Sequence, residues 1–457
     1  MIVMKFGGTS IEDIPSVERV LKIIDSRIER QPVVVNSAMG KTTRKLLEIA
    51  RLSADGKDEK ARLLLDGIHG YHSDMARGLI PDFEHSDART VLERYFEDLR
   101  LLMDGLSVLR ELTPRSQDRI LSYGELAATT IIAAALTAHG INARWMDARD
   151  FIITDERFTR ARPVDELACR AIAEKVTPSV SSGYVPVIQG FIGSTRRGDT
   201  TTLGFEGSDF TAALVGAALD VSGIEIWKDV NGIMTADPRI FAGARTVRNI
   251  SFEEASELTF SGAKVLHPGT IEPARRKNIP VNIYNSREPD AGGTTIQART
   301  KNEKDIVISI AYNVSVSIVT ITQDSHRAPA GFLRSVFDIL DREGIVPRAA
   351  ATSGTGVAVA VDSSEDMEHL TGELTQCGDV TVSEGKATVS LVGENIRTTR
   401  DFAPTVFQNL EDVNIYMIAQ GMSAISVTFV VDESDVSPVI SRLHTVFFKN
   451  PDPDMSD

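Results

Sequence analysis

The chain has 457 residues, 42% of them hydrophobic and 25% charged, with a formal net charge of −15. That length calls for two or three domains, and the composition is that of a soluble globular protein. The acidic balance argues against nucleic acid or an anionic membrane surface as partner, while a local basic site can still take a small anionic substrate. Cys169 and Cys377 stand far apart with no CxxC or Cys/His spacing, so neither a disulfide framework nor a metal site is expected. The start MIVMKFGG lacks the basic and apolar regions of a signal peptide, and no apolar run reaches membrane length. The expected compartment is the cytoplasm.

Residues 2–6 read as a short buried strand, followed at once by Gly7-Gly8-Thr9-Ser10. A helix of apolar spacing is predicted over about 15–28, then a Val-rich strand over 31–35 that ends in Asn36-Ser37-Ala38-Met39-Gly40-Lys41-Thr42-Thr43. Strand, small polar loop, helix has then occurred twice, the α/β pattern with ligand loops at the carboxyl ends of parallel strands. Gly40-Lys41-Thr42 is not a Walker A loop, because the position where that motif needs its first glycine is Val35. Residues 55–115 read as polar helices, and His69 and His72 as part of a solvated helix face rather than a metal site. Ser122-Tyr123-Gly124-Glu125 opens an apolar helix to about residue 138. Glu125 is then either an N-terminal acid favoured by the helix dipole or a buried acid that receives an ammonium group.

Strands follow at 141–145 and 185–188, and Gln189-Gly190-Phe191-Ile192-Gly193-Ser194 leads through a charged turn into TTTLGFEGSD at 200–209. Gly204 and Gly207 permit unusual backbone geometry, Ser208 or Asp209 can cap the next helix, and a helix N-terminus attracts anions. A strand over 224–227 precedes Lys228-Asp229 and a turn-rich run to Arg239, and Ser261-Gly262-Ala263-Lys264 puts a lysine in another tight segment. Residues 288–304, rich in Gly, Thr, Pro and charge, read as a linker. The remainder reads as nearly two rounds of a βαββαβ module. Gly354 and Gly356 do not make a dinucleotide fingerprint, since the spacing and the following helix are wrong.

Lys5, Gly7, Gly8, Asp209 and Lys264 thus all fall at strand ends of one α/β domain. Phosphoryl transfer requires fixed positive charge and N–H donors around the phosphates, with little covalent work by the protein. Two lysines supply the charge and an aspartate between them orients both. A carboxylate acceptor is ionised at neutral pH and needs no general base, which suits a chain with no convincing catalytic His or Cys.

KFGGTS, NSAMGKTT, GEL, QGFIGS, TTTLG with GSD, IWKDVNGIMTADPR and SGAKVLHP, in this order over about 2–290, resemble the successive motifs of the aspartate kinases. The tail is similar to that family's pair of ACT regulatory domains. The resemblance implies an α/β amino-acid-kinase-type domain, its central mostly parallel sheet sandwiched by helices, over 1–290. A linker at 291–305 and two α+β ACT-like modules over 306–457 follow. It implies ATP and Mg²⁺ as cofactors, phosphorylation of L-aspartate to 4-phospho-L-aspartate on the way to lysine, methionine and threonine, and a homodimer through the ACT modules. Lys5 and Lys264 would neutralise the phosphates, with Asp209 orienting them. Gly7, Gly8, Ser10, Ser208, Lys228, Asp229, Met234 and Arg239 would line the nucleotide path. Ser37, Ala38 and Thr43 would contact aspartate, and Glu125 would receive its ammonium group.

Two departures from that pattern stand out. Phe205 takes the place of an arginine that holds the substrate's α-carboxylate, and loss of such a charged partner costs about 2–4 kcal/mol. Either another cation serves, with Arg196, Arg197 and Lys41 as candidates, or the substrate is a related or α-blocked amino acid. A third reading is a catalytically weak, ligand-sensing paralogue. In the first ACT module Arg348 stands where lysine-inhibited members place an acid, near Thr352 and Ser353, so weak or absent lysine inhibition is expected.

Overall fold

The computed structural model describes residues 1–204, 206–263, 266, 268–298, 306–323, 329–420 and 423–448. The chain divides into two compact units, one made of 1–232 and 267–298, the other of 233–266 and 299–457.

The strands of the first unit are β1 (Ile2–Phe6), β2 (Pro32–Asn36), β3 (Ala143–Met146), β4 (Ile153–Thr154), β5 (Val185–Gln189), β6 (Ile192–Thr195), β7 (Thr200–Thr202) and β8 (Ile224–Lys228). After the second unit's β9 (Asn249–Ser251), β10 (Val281–Asn285) and β11 (Gly293–Gln297) return to the first. The main sheet runs β3-β5-β2-β1-β8-β10-β11, parallel until β11 pairs antiparallel with β10. β1, β2 and β5 are buried at every residue, as expected of near-continuous apolar strands covered on both faces. Val33, Val34 and Val35 are each fully buried, worth about 1.5–3 kcal/mol apiece over exposure. β10 and β11 alternate buried and half-buried residues, the signature of one covered face. β11 therefore falls where the sequence suggests a linker: Gly and Thr there weaken the strand signal, and pairing with β10 overrides it.

Helices α1 (Ile14–Asp25), α2 (Thr42–Ala54), α3 (Asp58–Leu79), α4 (Asp87–Leu109), α5 (Pro114–Ala138), α6 (Asp165–Ser181) and α7 (Gly207–Leu219) belong to this unit. Next in the chain come α8 (Phe252–Phe260), in the second unit, and α9 (Glu272–Arg276), in the first. α5 is long and apolar enough to cross a membrane by composition, but 83% of its apolar window is buried within the fold. It begins eight residues before the predicted start, at Pro114 behind the Thr113 cap, so Glu125 is a mid-helix residue and the dipole reading fails. His72 also departs from expectation. It is fully buried, its Nδ1 is 2.9 Å from the Ile68 carbonyl, and burial lowers its pKa to about 4. His69 stacks on Phe96 at 4.4 Å, so the pair belongs to a helix–helix core rather than a solvated face.

In the second unit β12 (Ser309–Thr322), α10 (Pro329–Arg342), β13 (Ala349–Thr352), β14 (Gly356–Asp362), α11 (Met367–Leu374), β15 (Asp379–Val392), α12 (Phe402–Gln408), β16 (Met417–Gln420), β17 (Ser426–Asp432) and α13 (Val436–Phe447) follow in order. They build one sheet, β13-β14-β12-β15-β17-β16. The second βαββαβ round has no closing strand after α13 among the described residues. That strand is Ser309–Asn313, the first part of β12, which pairs with Thr388–Val392. Each 14-residue strand thus serves both modules. Residues 233–266 join this unit through buried contacts. Thr235 Oγ1 lies 2.9 Å from His444 Nε2 on α13, and Ile310 N donates to Thr235 O at 2.9 Å.

Candidate active site

β1 lies between β2 and β8, where the order of the sheet reverses, so the loops after these three strands meet at one crevice. Lys5, the fourth residue of β1, is only 6% exposed. Its Nζ is 2.6 Å from Asp209 Oδ1, and Lys228 Nζ, at the end of β8, is 2.9 Å from Asp209 Oδ2. Asp209 sits in the first turn of α7, where the dipole favours an acid by about 0.3–1 kcal/mol. It is 2% exposed. Burial alone would raise its carboxyl, but the charges of Lys5 and Lys228 outweigh that and hold it below the ordinary carboxylate range. Burial pushes the Lys5 ammonium down, with Asp209 opposing and Lys228 adding to the shift. The result is one carboxylate fixing two ammonium groups at a helix N-terminus: a net positive site, desolvated and preorganised, that suits a transferring phosphoryl group.

The partner of Asp209 beside Lys5 is therefore Lys228. Lys264, expected in that role, lies outside the described residues, as does Phe205. The α7 cap also differs from expectation. The N-cap is Glu206 at φ 53°, without a side-chain cap bond, and Ser208 and Asp209 lie inside the first turn. Ser208 is buried and packs on Gly190, where an added Cβ would come 2.5 Å from Ser208 Cβ.

The glycine loop after β1 is held close to the loop after β2. A Cβ on Gly8 would lie 2.6 Å from the Ala38 carbonyl oxygen, so no other residue fits without moving backbone. Gly7 N donates to Trp227 O at 3.1 Å, which ties the loop to β8. Ser10 is buried, its hydroxyl donating to Trp227 O at 3.3 Å and lying 2.8 Å from Ser286 Oγ, so it positions the loop. Asp229, next after Lys228, is exposed. Met234 and Arg239 fold with the second unit, where Ser309 Oγ donates to Met234 O at 2.7 Å and Arg239 pairs with Asp237 at 2.6 Å.

Glu125 is 3% exposed and faces the loop after β2. Its Oε1 accepts from Ala38 N at 3.3 Å and Thr43 Oγ1 at 3.2 Å, while Oε2 is buried without a partner. Burial pushes its carboxyl up to about 8. An unpaired buried carboxyl oxygen is costly, and a ligand ammonium would satisfy it. Ala38 and Thr43 thus meet Glu125, and Ser37 precedes them with its N–H on Phe6 O at 3.2 Å.

A buttress not legible in the sequence stands one side of this crevice. Asp118, fully buried on α5, accepts from Thr202 N at 2.9 Å, Thr202 Oγ1 at 2.7 Å and Thr159 N at 2.8 Å. It locks β7, and with it the entry to α7, against the 155–162 loop. An acid seven residues before Glu125 in an apolar helix was the available signal. In the second unit Arg348 forms a bidentate pair with Asp362, at 3.1 and 2.7 Å, and donates to Phe260 O at 3.3 Å. Thr352 ends β13, and Ser353 N donates to Gly356 O at 2.8 Å.

A family model for the amino acid kinase family matches residues 1–285, and one for the ACT domain matches 389–447. The lysine-sensitive aspartokinase 3 of Escherichia coli is 34% identical over 98% of this chain and 99% of its own length. Aspartokinase 1 of Arabidopsis thaliana, a chloroplastic enzyme, is 34% identical over 98% of this chain and 80% of its own. The solved structure of E. coli aspartokinase III with aspartate and ADP superposes with a TM-score of 0.83, covering 98% of this chain and all of that one at 34% identity. The same enzyme with lysine and aspartate gives a TM-score of 0.84 at 33% identity, covering 98% of this chain and 99% of that one.

Proposed function

This chain belongs to the aspartokinases of the amino acid kinase family, and from that membership we propose that it transfers the γ-phosphoryl group of ATP to the side-chain carboxylate of L-aspartate. The observation that carries the reading is the Lys5–Asp209–Lys228 cluster, with Glu125 buried and half-satisfied on α5. The aspartate ammonium pairs with Glu125 Oε2, and the substrate's β-carboxylate is thereby held towards the lysines. A carboxylate oxygen forms the new P–O bond while the bond to the β-phosphate oxygen of ATP breaks, giving 4-phospho-L-aspartate and ADP. No proton moves at the acceptor, so the chain supplies charge and position only. Lys5 and Lys228 meet charge on the phosphoryl oxygens, and Gly7 and Gly8 let the backbone approach it.

Mg²⁺ fits this site as a passenger of the nucleotide. Among the described residues no group of three His, Cys, Asp or Glu side chains could hold a metal, and Asp209 is taken by two lysines. When bound, the ion neutralises phosphate charge, and the phosphates provide most of its oxygen ligands. In this reading Asp229, next after Lys228, stands on the nucleotide side. The ACT-like modules form a homodimer and carry regulation, and the enzyme works in the cytoplasm.

The deciding assay incubates the purified chain with ATP and Mg²⁺ and traps acyl phosphate with hydroxylamine, across aspartate, its α-amide and α-ester, glutamate and malate. Turnover of aspartate with a KM between about 1 μM and 1 mM is expected. Turnover of an α-blocked analogue alone overturns the substrate, and turnover of none overturns the enzyme.

A further inference from the structure

We propose that Arg160 binds the α-carboxylate of the amino acid substrate. The inference rests on the aspartate reading, because it assigns the third point of contact for that ligand. Aspartate offers a β-carboxylate to the lysines and an ammonium to Glu125. Its α-carboxylate then needs a cation on the α5 side of the crevice. α5 acts as a ruler here: Asp118 and Glu125 are seven residues apart, so they share a helix face about 10 Å apart. Asp118 fixes Thr159 N at 2.8 Å, and Arg160 is the next residue. An arginine side chain spans most of that interval.

The same loop touches the entry to α7. A Cβ on Gly204 would stand 3.3 Å from Thr159 O, 3.7 Å from Arg160 Cα and 3.8 Å from Arg160 Cγ. Arg160 therefore lies beside the residue that precedes Phe205, the position where the sequence suggests a missing cation. Thr159 is held at φ 72°, a left-handed conformation costly for a β-branched residue. Asp118, itself fixed by two bonds from Thr202, holds Thr159 there through its N–H. Arg160 is exposed, and its guanidinium has no ion-pair partner among the described residues.

The competing cations are worse placed. Arg196 and Arg197 sit in the β6–β7 turn, at the far end of β7 from Gly204, and Arg197 faces Glu156 at 3.8 Å. Arg115 is paired with Asp199 at 2.5 Å, and Arg149 with Asp147 at 2.6 Å. Lys41 is exposed at the N-cap of α2 and offers one point charge where a planar carboxylate takes a fork.

The test compares unaltered chain, Arg160→Ala, Arg160→Lys and Lys41→Ala for KM on L-aspartate and on its α-amide, which lacks the negative charge. Arg160→Ala should raise the aspartate KM on the order of 30-fold and move the α-amide KM less than about threefold. Arg160→Lys should recover part of the loss, and Phe205→Arg in the Arg160→Ala background should restore the preference for aspartate. Equal changes for both substrates, or no change, with aspartate still turned over by the unaltered chain, overturn the assignment alone. So does a selective loss in Lys41→Ala without one in Arg160→Ala. Absence of aspartate turnover by the unaltered chain overturns the substrate reading and this assignment together.

Discussion

Asp209 shows how a buried charge is stabilised: two ammonium groups, at 2.6 and 2.9 Å, outweigh the penalty of a carboxylate that is 2% exposed. Removing one of them leaves Asp209 and the remaining lysine misaligned and the phosphate less neutralised. Lys228→Met should lower kcat about 100-fold, the usual effect of deleting one electrostatic donor, with aspartate KM nearly unchanged; steady-state kinetics check it. Glu125 behaves in the opposite way, since its carboxyl, at about 8, is protonated in the folded chain at neutral pH. Unfolded, it releases that proton near its ordinary value. Between those two values the folded state holds the extra proton, so Glu125 removes stability as pH rises through that window, and the loss is complete above about 8. Glu125→Gln should therefore raise Tm by a few degrees at pH 8, and by much less at pH 5, while raising the aspartate KM. Calorimetry at the two pH values and the hydroxylamine assay read both effects.

Among the elements, α5 matters most, because it carries Asp118 and Glu125 on one face and fixes both the substrate loop and the approach to α7. Its apolar run is plain in the sequence, but its first two turns, Pro114 to Leu121, are polar enough to read as a separate segment. The Thr113 cap and Pro114 mark its true start. The strained residue it holds gives a test at this scale. Thr159→Gly removes the left-handed penalty and keeps the N–H bond to Asp118, so stability should rise by about 1 kcal/mol in denaturant unfolding. If Thr159 is unstrained, glycine's extra chain entropy makes the variant less stable instead.

For the molecule as a whole, regulation is the property in question. Arg348 is engaged twice by Asp362 and once by the Phe260 carbonyl, so the first module presents a neutralised pair where an acid would attract a lysine ammonium. Lysine at sub-millimolar concentration should leave activity unchanged, measured under conditions in which a lysine-sensitive relative is inhibited. Arg348 lies on the strand-leading side of β13 and is tied to residues of the 233–266 segment, which folds with the modules rather than with the first unit. The sheet of that unit is a single surface shared by two modules, because β12 and β15 each run through both.

Local chemistry was enough to place Lys5, Gly7, Gly8 and Asp209 at strand and helix ends and to mark the strands β1, β2, β3, β5 and β8. Lys5, Gly7, Gly8 and Asp209 sit within a residue or two of strand or helix ends, and apolar runs with small polar loops mark such ends without reference to the rest of the chain. The family motifs, too, are short and contiguous. Other features needed the folded chain because they join residues distant in sequence. Asp118 reaches Thr202 across 84 positions, and His72 is buried by packing that its polar helix does not announce. β11 exists through pairing with β10, and the second module is closed by a strand that precedes the first. The choice of Lys228 as the second ammonium on Asp209, and of Arg160 as the side chain beside Gly204, was likewise made by tertiary contact, which depends on which strands become neighbours and not on spacing along the chain.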